Sequence, residues 1–558
     1  MRCGHRILVL LTALLVGVAM VPPAAHAQRL VQISGAGSSW SANALDNWRR
    51  NVQQRGIYVN YASTGSTDGR NQFRNGTADF GVSEIPYRLN DVFAGSDRRP
   101  EREFGYMPIV AGGTAFMYNL TIGGRRVTNL RLSGEVLAKI FTGSIKRWND
   151  PQIAAHNPGL TLPARNIVPV VRQDGSGTSA QLTLWMSKRY PAIWNAYCAR
   201  FGKPTPCGIT STYPFRTADG FVGASGSTGV AGYVAQANAE GAITYVEYSY
   251  AVNARFPVVK MLNAANYYVE PTASNVAVAL TRARINDNPS SPDYLTQILD
   301  DVYAFDDPRS YPLSSYSYMI IPQKVELNVT RDKGFTLASF ANYFLCEGQQ
   351  QADVLGYSPL PINLVQAAME QVRKIPGAPQ QNIRIENCNN PTFSRDGTNT
   401  LARNAPQPST CDRQGTTQST AGTAGARQET PVNAAARCAS GGGPSPGRTA
   451  TPGATATPGG GATTAPPTTS AGTPTAAVPD PGAVIDPDTG EVVGDGSGDP
   501  GGDPGSAVAA IPVSLEGRRG WQLSHTMMLL ASVLLVGLLV GPPLVAHRYA
   551  GRRDRGQS

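Results

Sequence analysis

Eight consecutive residues, Arg172-Gln173-Asp174-Gly175-Ser176-Gly177-Thr178-Ser179, combine a cation, a glycine-flanked turn and three hydroxyls. An apolar run, Ile167 to Val171, leads in and reads as a strand, and Gln181 to Arg189 follows as a helix. The first N–H groups of a helix have no intrahelical partner, and the helix dipole there favours negative charge. Glycines let an anion approach the backbone, and Arg172 offers a planar fork suited to an oxyanion. These residue types in this order describe an oxyanion cradle.

Two other loops have the same form. Ile33-Ser34-Gly35-Ala36-Gly37-Ser38-Ser39-Trp40 joins an N-terminal strand to the helix holding Trp48. Tyr61-Ala62-Ser63-Thr64-Gly65-Ser66-Thr67-Asp68-Gly69 joins the next strand to a short helix ending near Asn75. Each puts a hydroxyl beside free N–H groups at a helix start. Runs such as Ile57 to Tyr61, Met107 to Val110 and Ala115 to Tyr118 read as strands. Asn43 to Gln54, Gly134 to Phe141 and Thr336 to Leu345 read as amphipathic helices. Their alternation predicts an α/β fold with parallel-rich sheets, where ligands sit at the carboxyl ends of strands.

Catalytic machinery is not legible. His156 is the only histidine between residues 28 and 520, and it precedes the turn Asn157-Pro158-Gly159, so it reads as a surface loop residue. No Gly-x-Ser-x-Gly elbow accompanies it; Gly223-Ala224-Ser225-Gly226-Ser227 comes closest but has the wrong spacing. A Walker A sequence is absent, and the cysteine and histidine spacings suit no zinc site. The chain reads as a binder rather than an enzyme, with no metal and no cofactor. Nor does the formal charge of +9 point to nucleic acid. Arg2 and Arg6 supply two of those charges and the tail after Ala546 three, which leaves +4 with no Lys/Arg run.

The ends define the compartment. Residues 1–27 carry a basic start, an apolar run from Ile7 to Met20 and Ala25-His26-Ala27, the pattern of a cleaved secretory signal. Met527 to Ala546, within a predicted transmembrane helix at 521–547, is long enough to span a bilayer. Arg548, Arg552, Arg553 and Arg555 in the tail at 548–558 place it in the cytoplasm by the positive-inside tendency. A single-pass cell-membrane protein with an extracytoplasmic N-terminal body follows. Six cysteines outside the leader predict disulfides in that compartment; Cys198–Cys207, Cys346–Cys388 and Cys411–Cys438 are one pairing among several that the sequence allows. A Cys-containing extension is expected at 377–403. A Thr/Pro/Gly/Ser-rich disordered linker is expected at 404–520, because its composition cannot bury enough apolar surface. Residues 439–515 would span roughly 50 Å as flexible coil.

The residues resemble a known family. Gly35-Ala36-Gly37, Gly65-Ser66, Asp79-Phe80-Gly81-Val82-Ser83-Glu84, Trp148-Asn149-Asp150-Pro151, Asn157-Pro158-Gly159-Leu160 and Arg172 to Ser179 are similar, in that order, to the phosphate-binding proteins of phosphate-specific ABC transporters. Gly241 to Tyr248 and Leu355 to Pro361 extend the match over about Val31 to Ile375. The resemblance implies a two-lobed periplasmic-binding-protein type II fold over 28–376. Lobe 1 would take about 29–112 and 311–376, and lobe 2 about 113–310. It further implies a phosphate site of Ser39, Ser66 and Glu84 from lobe 1 and Arg172, Ser176, Gly177 and Thr178 from lobe 2, with Asp174 orienting Arg172. An ABC-type permease is the implied partner. Glu84 stands where the family usually has Asp, and Ser39 where it often has Thr. A surface sensor or envelope interaction protein on the same fold, or a receptor for another oxyanion, is the alternative.

Overall fold

Strand and helix alternate because apolar runs of four to six residues are punctuated by Gly- and Ser-rich helix starts. The computed structural model describes residues 28–426, apart from 88–90, 96, 292, 380–386 and 395–396, together with Cys438. Its main sheet has eight strands: β1 (Ile33–Gly37), β2 (Val59–Ala62), β3 (Phe80–Ser83), β4 (Phe104–Tyr118), β5 (Val168–Arg172), β6 (Val222–Ala224), β7 (Ala242–Glu247) and β8 (Ser314–Pro322). Their order is β2-β1-β3-β8-β4-β7-β5-β6. The first three are mutually parallel, as are β7, β5 and β6. Antiparallel β8 and β4 lie between these two sets.

The long strand β4 belongs to both halves. Phe104 to Gly113 pairs with β8, and Thr114 to Tyr118 pairs with β7, so one strand carries the chain from lobe to lobe. Two separate strands were expected here; Gly112-Gly113 does not interrupt them because pairing passes directly from β8 to β7. The register slips between Ser317 and Tyr318, opposite Pro108 and Val110. Pro108 has no N–H for the ladder, and a bulge accommodates that loss.

Helices cover the sheet by apolar faces. In α1 (Ala42–Gln53), Ala44, Leu45, Trp48 and Val52 are buried, the spacing of one helical face. Trp48 stacks on Phe344 at 4.9 Å between centroids, and its Nε1 donates to Gly348 O at 2.9 Å. The three disulfides Cys198–Cys207, Cys346–Cys388 and Cys411–Cys438 are all formed. Cys346–Cys388 closes 42 residues, worth about 4 kcal/mol on the loop-entropy model.

Two expectations need correction. His156 is not a bare loop residue: it ends α2 (Pro151–His156), half-buried, with Nδ1 2.7 Å from Tyr268 Oη. Burial, and then the nearby Arg131, hold its imidazole below the usual range. The linker expected from 404 starts later, because residues 404–426 pack on lobe 2. Arg131 donates to Cys411 O at 2.8 Å and Thr416 O at 2.6 Å, and Lys260 pairs with Asp412 at 2.8 Å. Thr423 and Ala424 are buried, Ala424 N donating to Glu270 Oε1 at 2.6 Å. Composition misleads here because polar backbone and short side chains are satisfied by lobe 2's hydrogen-bonding groups rather than by an apolar core of their own. The leader, the tract from 439, the membrane segment and the tail lie outside the described residues. Among the described residues, no helix is long and apolar enough to cross a membrane.

Candidate anion-binding site

The cradle is a strand-turn-helix unit. Buried β5 ends at Arg172, the turn holds Asp174 and Gly175, and α3 (Gly177–Arg189) begins four residues earlier than its apolar face suggested. Ser176 is the N-cap, its side chain accepting from Ser179 N at 3.2 Å. That hydrogen bond satisfies one free donor at the helix start and fixes the turn. The Arg172 side chain is 2% exposed. Its Nε donates to Asp174 Oδ1 at 2.7 Å and its Nη2 to Asp174 Oδ2, a bidentate fork. Its Nη1 has a longer bond, 3.4 Å to Ser227 Oγ. Burial pushes the Asp174 carboxyl up, but the Arg172 hydrogen bond and charge and the Gly226 N–H outweigh that and hold it below the usual carboxylate range. Asp174 thus holds the guanidinium in one orientation.

Glu84 faces this cradle from lobe 1 at the end of β3. Three hydroxyls donate to its carboxylate: Ser38 at 2.5 Å and Ser317 at 2.8 Å on Oε1, and Ser66 at 2.7 Å on Oε2. It is 1% exposed, so its carboxylate is held inside the cluster. Gln181 from α3 donates to the Glu84 carbonyl at 2.9 Å. Gly177 must be glycine here: an added Cβ would lie 2.1 Å from Glu84 Oε2 and 2.6 Å from Ser66 Oγ.

The lobes meet across this cleft. Gly177 N donates to Ser66 Oγ at 3.1 Å, and Thr67 N to Gly175 O at 3.1 Å. Ser39 Oγ accepts Ser227 N at 2.9 Å, from the start of α4 (Gly226–Val234). Gly65, at φ +98°, leaves only 2.7 Å between a built Cβ and Asp174 Oδ2. Of the donors nearest the turn, Thr178 Oγ1 is buried without a hydrogen-bond partner among the described residues. A site of this kind offers a planar cation, hydroxyls and helix N–H groups on one side and a single carboxylate on the other.

Every residue named from the sequence lies in this cluster, and Ser39 is engaged by Ser227 across the cleft. Sequence reasoning missed Ser38, Ser227 and Ser317. Ser38 adjoins Ser39, and Ser225-Gly226-Ser227 has the same loop-to-helix form as the cradle, so both carried a signal. Ser317 lies inside β8, where nothing in the sequence marks it. Among the described residues, no group of three or more His, Cys, Asp or Glu is arranged to hold a metal ion.

A family model described as a PBP superfamily domain matches residues 22–347. The phosphate-binding protein PstS of Xylella fastidiosa (strain Temecula1) is 33% identical over 348 residues, covering 62% of this chain and 85% of that protein. PstS of Haemophilus influenzae is 30% identical over 340 residues, covering 61% and 92% respectively. The solved phosphate-binding protein of Stenotrophomonas maltophilia shares 18% identity at a TM-score of 0.45, covering 61% of this chain and 93% of that one.

Proposed function

This chain belongs to the PBP superfamily and, within it, to the PstS-type phosphate-binding proteins; from that premise we propose that it is an extracytoplasmic receptor for inorganic phosphate. It hands its ligand to a separate ABC-type permease. The observation that carries the reading is the opposition of Glu84 to the Arg172–Asp174 cradle across one cleft.

The chemistry follows from protonation. Phosphate at neutral pH is a dianion or monoanion that still carries a proton, whereas sulfate has only acceptor oxygens. Arg172, the Thr178 hydroxyl and the N–H groups at the start of α3 supply donors to the unprotonated oxygens. Glu84 supplies an acceptor for the protonated one. Sulfate in the same place would set lone pairs against the carboxylate in a dry site, at a cost of about 1–3 kcal/mol or more. Ser39, Ser66, Ser176 and Gly177 shape the walls, and residues from both lobes meet one ion, so binding and closure are coupled. No bond is made or broken in this account.

The membrane segment at Met527 to Ala546 anchors the receptor in this reading, and the tract from 439 serves as its tether. A tether of that length would keep the receptor near its permease through effective concentration. The test is melting of the purified full chain, stripped of bound anion, with phosphate or sulfate added. A melting temperature that rises with phosphate and not with sulfate supports the proposal; equal shifts, or none, reject it.

A further inference from the structure

A second polar cavity, of about 320 Å³, lies at the other end of β4 from the crossover, around Gly105 and Tyr106. It is roughly 25 Å along the strand from Gly113 by the usual rise per residue. Arg99, Lys374, Gln371, Tyr106, Tyr294 and Ser291 are among its polar lining residues, and no carboxylate is among the lining residues.

Two donors there are unpaired. Arg99 Nη1 and Gln371 Nε2 are both buried with no hydrogen-bond partner among the described residues. Gln371 is 1% exposed, and its Oε1 is already taken by Gln323 Nε2 at 3.0 Å, while its own amide nitrogen is unpaired among the described residues. The Tyr106 hydroxyl accepts from Tyr87 N at 2.8 Å, so its proton remains to be donated. Ser291 Oγ likewise accepts twice, from Asn286 Nδ2 at 2.8 Å and Asp293 N at 3.1 Å. Burial raises both tyrosine hydroxyls, with Glu370 and Asp287 adding at Tyr294 and Asp293 at Tyr106, so both stay protonated donors. Aromatic faces hold the cations: Arg99 lies 4.9 Å over Phe104, and Lys374 5.6 Å over Tyr294.

Native proteins rarely bury donors unpaired, and a cluster of them around one cavity calls for an acceptor-rich occupant. Arg99 and Lys374 line it, while the nearby carboxylates Asp287, Asp293 and Glu370 lie outside the lining, so the wall itself is cationic. The volume is that of a small-molecule site rather than of a bare tetrahedral ion. We propose that this cavity is a second anion site, remote from the cleft, that takes a small organic dianion bearing carboxylate or phosphate oxygens. Arg99 and Gln371 meet its buried end, and exposed Lys374 meets the end nearer solvent.

The experiment uses the full chain carrying Arg172→Ala, which removes the cleft cation. It is titrated calorimetrically with succinate, glycerol 3-phosphate and inorganic phosphate. At least one organic dianion binds, and binding weakens about tenfold when Arg99→Gln or Lys374→Gln is added, as for loss of a charge-assisted contact. Lys374→Gln alters an exposed side chain in the last turn of its helix and keeps the test valid if Arg99→Gln does not fold. In the chain with Arg172 intact, Lys374→Gln leaves phosphate binding at the cleft unchanged, so failure of the cleft and failure of this cavity are read separately. No binding of any probe at millimolar concentration in the Arg172→Ala chain, or binding indifferent to both substitutions, overturns the proposal. Binding of inorganic phosphate alone overturns the organic class.

Discussion

Ser39 Oγ in the first lobe lies 3.0 Å from Ser227 Oγ in the second and also accepts the Ser227 N–H at 2.9 Å. The same Ser227 hydroxyl takes the outer nitrogen of Arg172. The pair is therefore a latch between the lobes beside the Arg172 guanidinium. Ser227→Ala removes the hydroxyl contacts and leaves the backbone bond. Loss of an ordinary hydrogen bond, about 1 kcal/mol, predicts phosphate release about fivefold faster with little change in association. Stopped-flow dissociation reads this directly, and an unchanged release rate would show that the latch does not hold the closed state.

Glu84 accepts three hydroxyls and is itself only 1% exposed. Glu84→Gln turns one acceptor oxygen into a donor NH₂, which must then oppose Ser66 or the Ser38–Ser317 pair. The prediction is a chain destabilised by about 1–3 kcal/mol that also discriminates less between phosphate and sulfate. Chemical denaturation and paired titrations test the two halves; selectivity equal to that of the parent would place discrimination elsewhere.

Lys260 and Asp412 are only 13% and 10% exposed, and their ion pair joins the C-terminal segment to lobe 2. Asp412→Ala leaves a largely buried ammonium without its carboxylate, with an expected loss of about 3–5 kcal/mol. A chain ended at Arg403 should lose at least as much, since it also removes the acceptors of Arg131. Denaturation midpoints unchanged in both would mean that the segment does not contribute to the folded state.

Glu247 is fully buried where β7 meets α5 (Tyr248–Ala254), and burial drives its carboxyl well above the usual range despite a bond from Ser249 N. The folded form therefore binds a proton more tightly than the unfolded chain. Its contribution is fully present below about pH 4.3, the ordinary glutamate value, and declines as pH rises toward the folded value. Glu247→Gln should therefore stabilise the protein at neutral pH, with the gain vanishing in acid. A gain that persists unchanged below pH 4 would assign the effect to packing instead.

The α/β class and the cradle were legible because Arg172 to Ser179 and the loops at Ser39 and Ser66 share one local design, a strand feeding a Gly- and Ser-rich helix start, although only Ser176 caps its helix through the side chain. Local chemistry of that kind is written in consecutive residues. Ser317 was not legible, because it reaches Glu84 only through the pairing of β8 with β3, a contact between residues 233 positions apart. The packed segment 404–426 was hidden for a related reason. Its own composition is that of a linker, and what orders it is the set of partners on lobe 2, from Asn129 and Arg131 to Glu270. Long-range hydrogen bonding leaves little trace in composition or periodicity.

The most direct measurement is calorimetric titration of the anion-stripped full chain with phosphate, beside Arg172→Ala. The account predicts tight binding by the parent and a loss of at least about a hundredfold in the variant, as expected when a buried charge-assisted contact to the ligand is removed. Phosphate binding that survives Arg172→Ala undiminished, in protein shown to be folded, would contradict the assignment of the cleft.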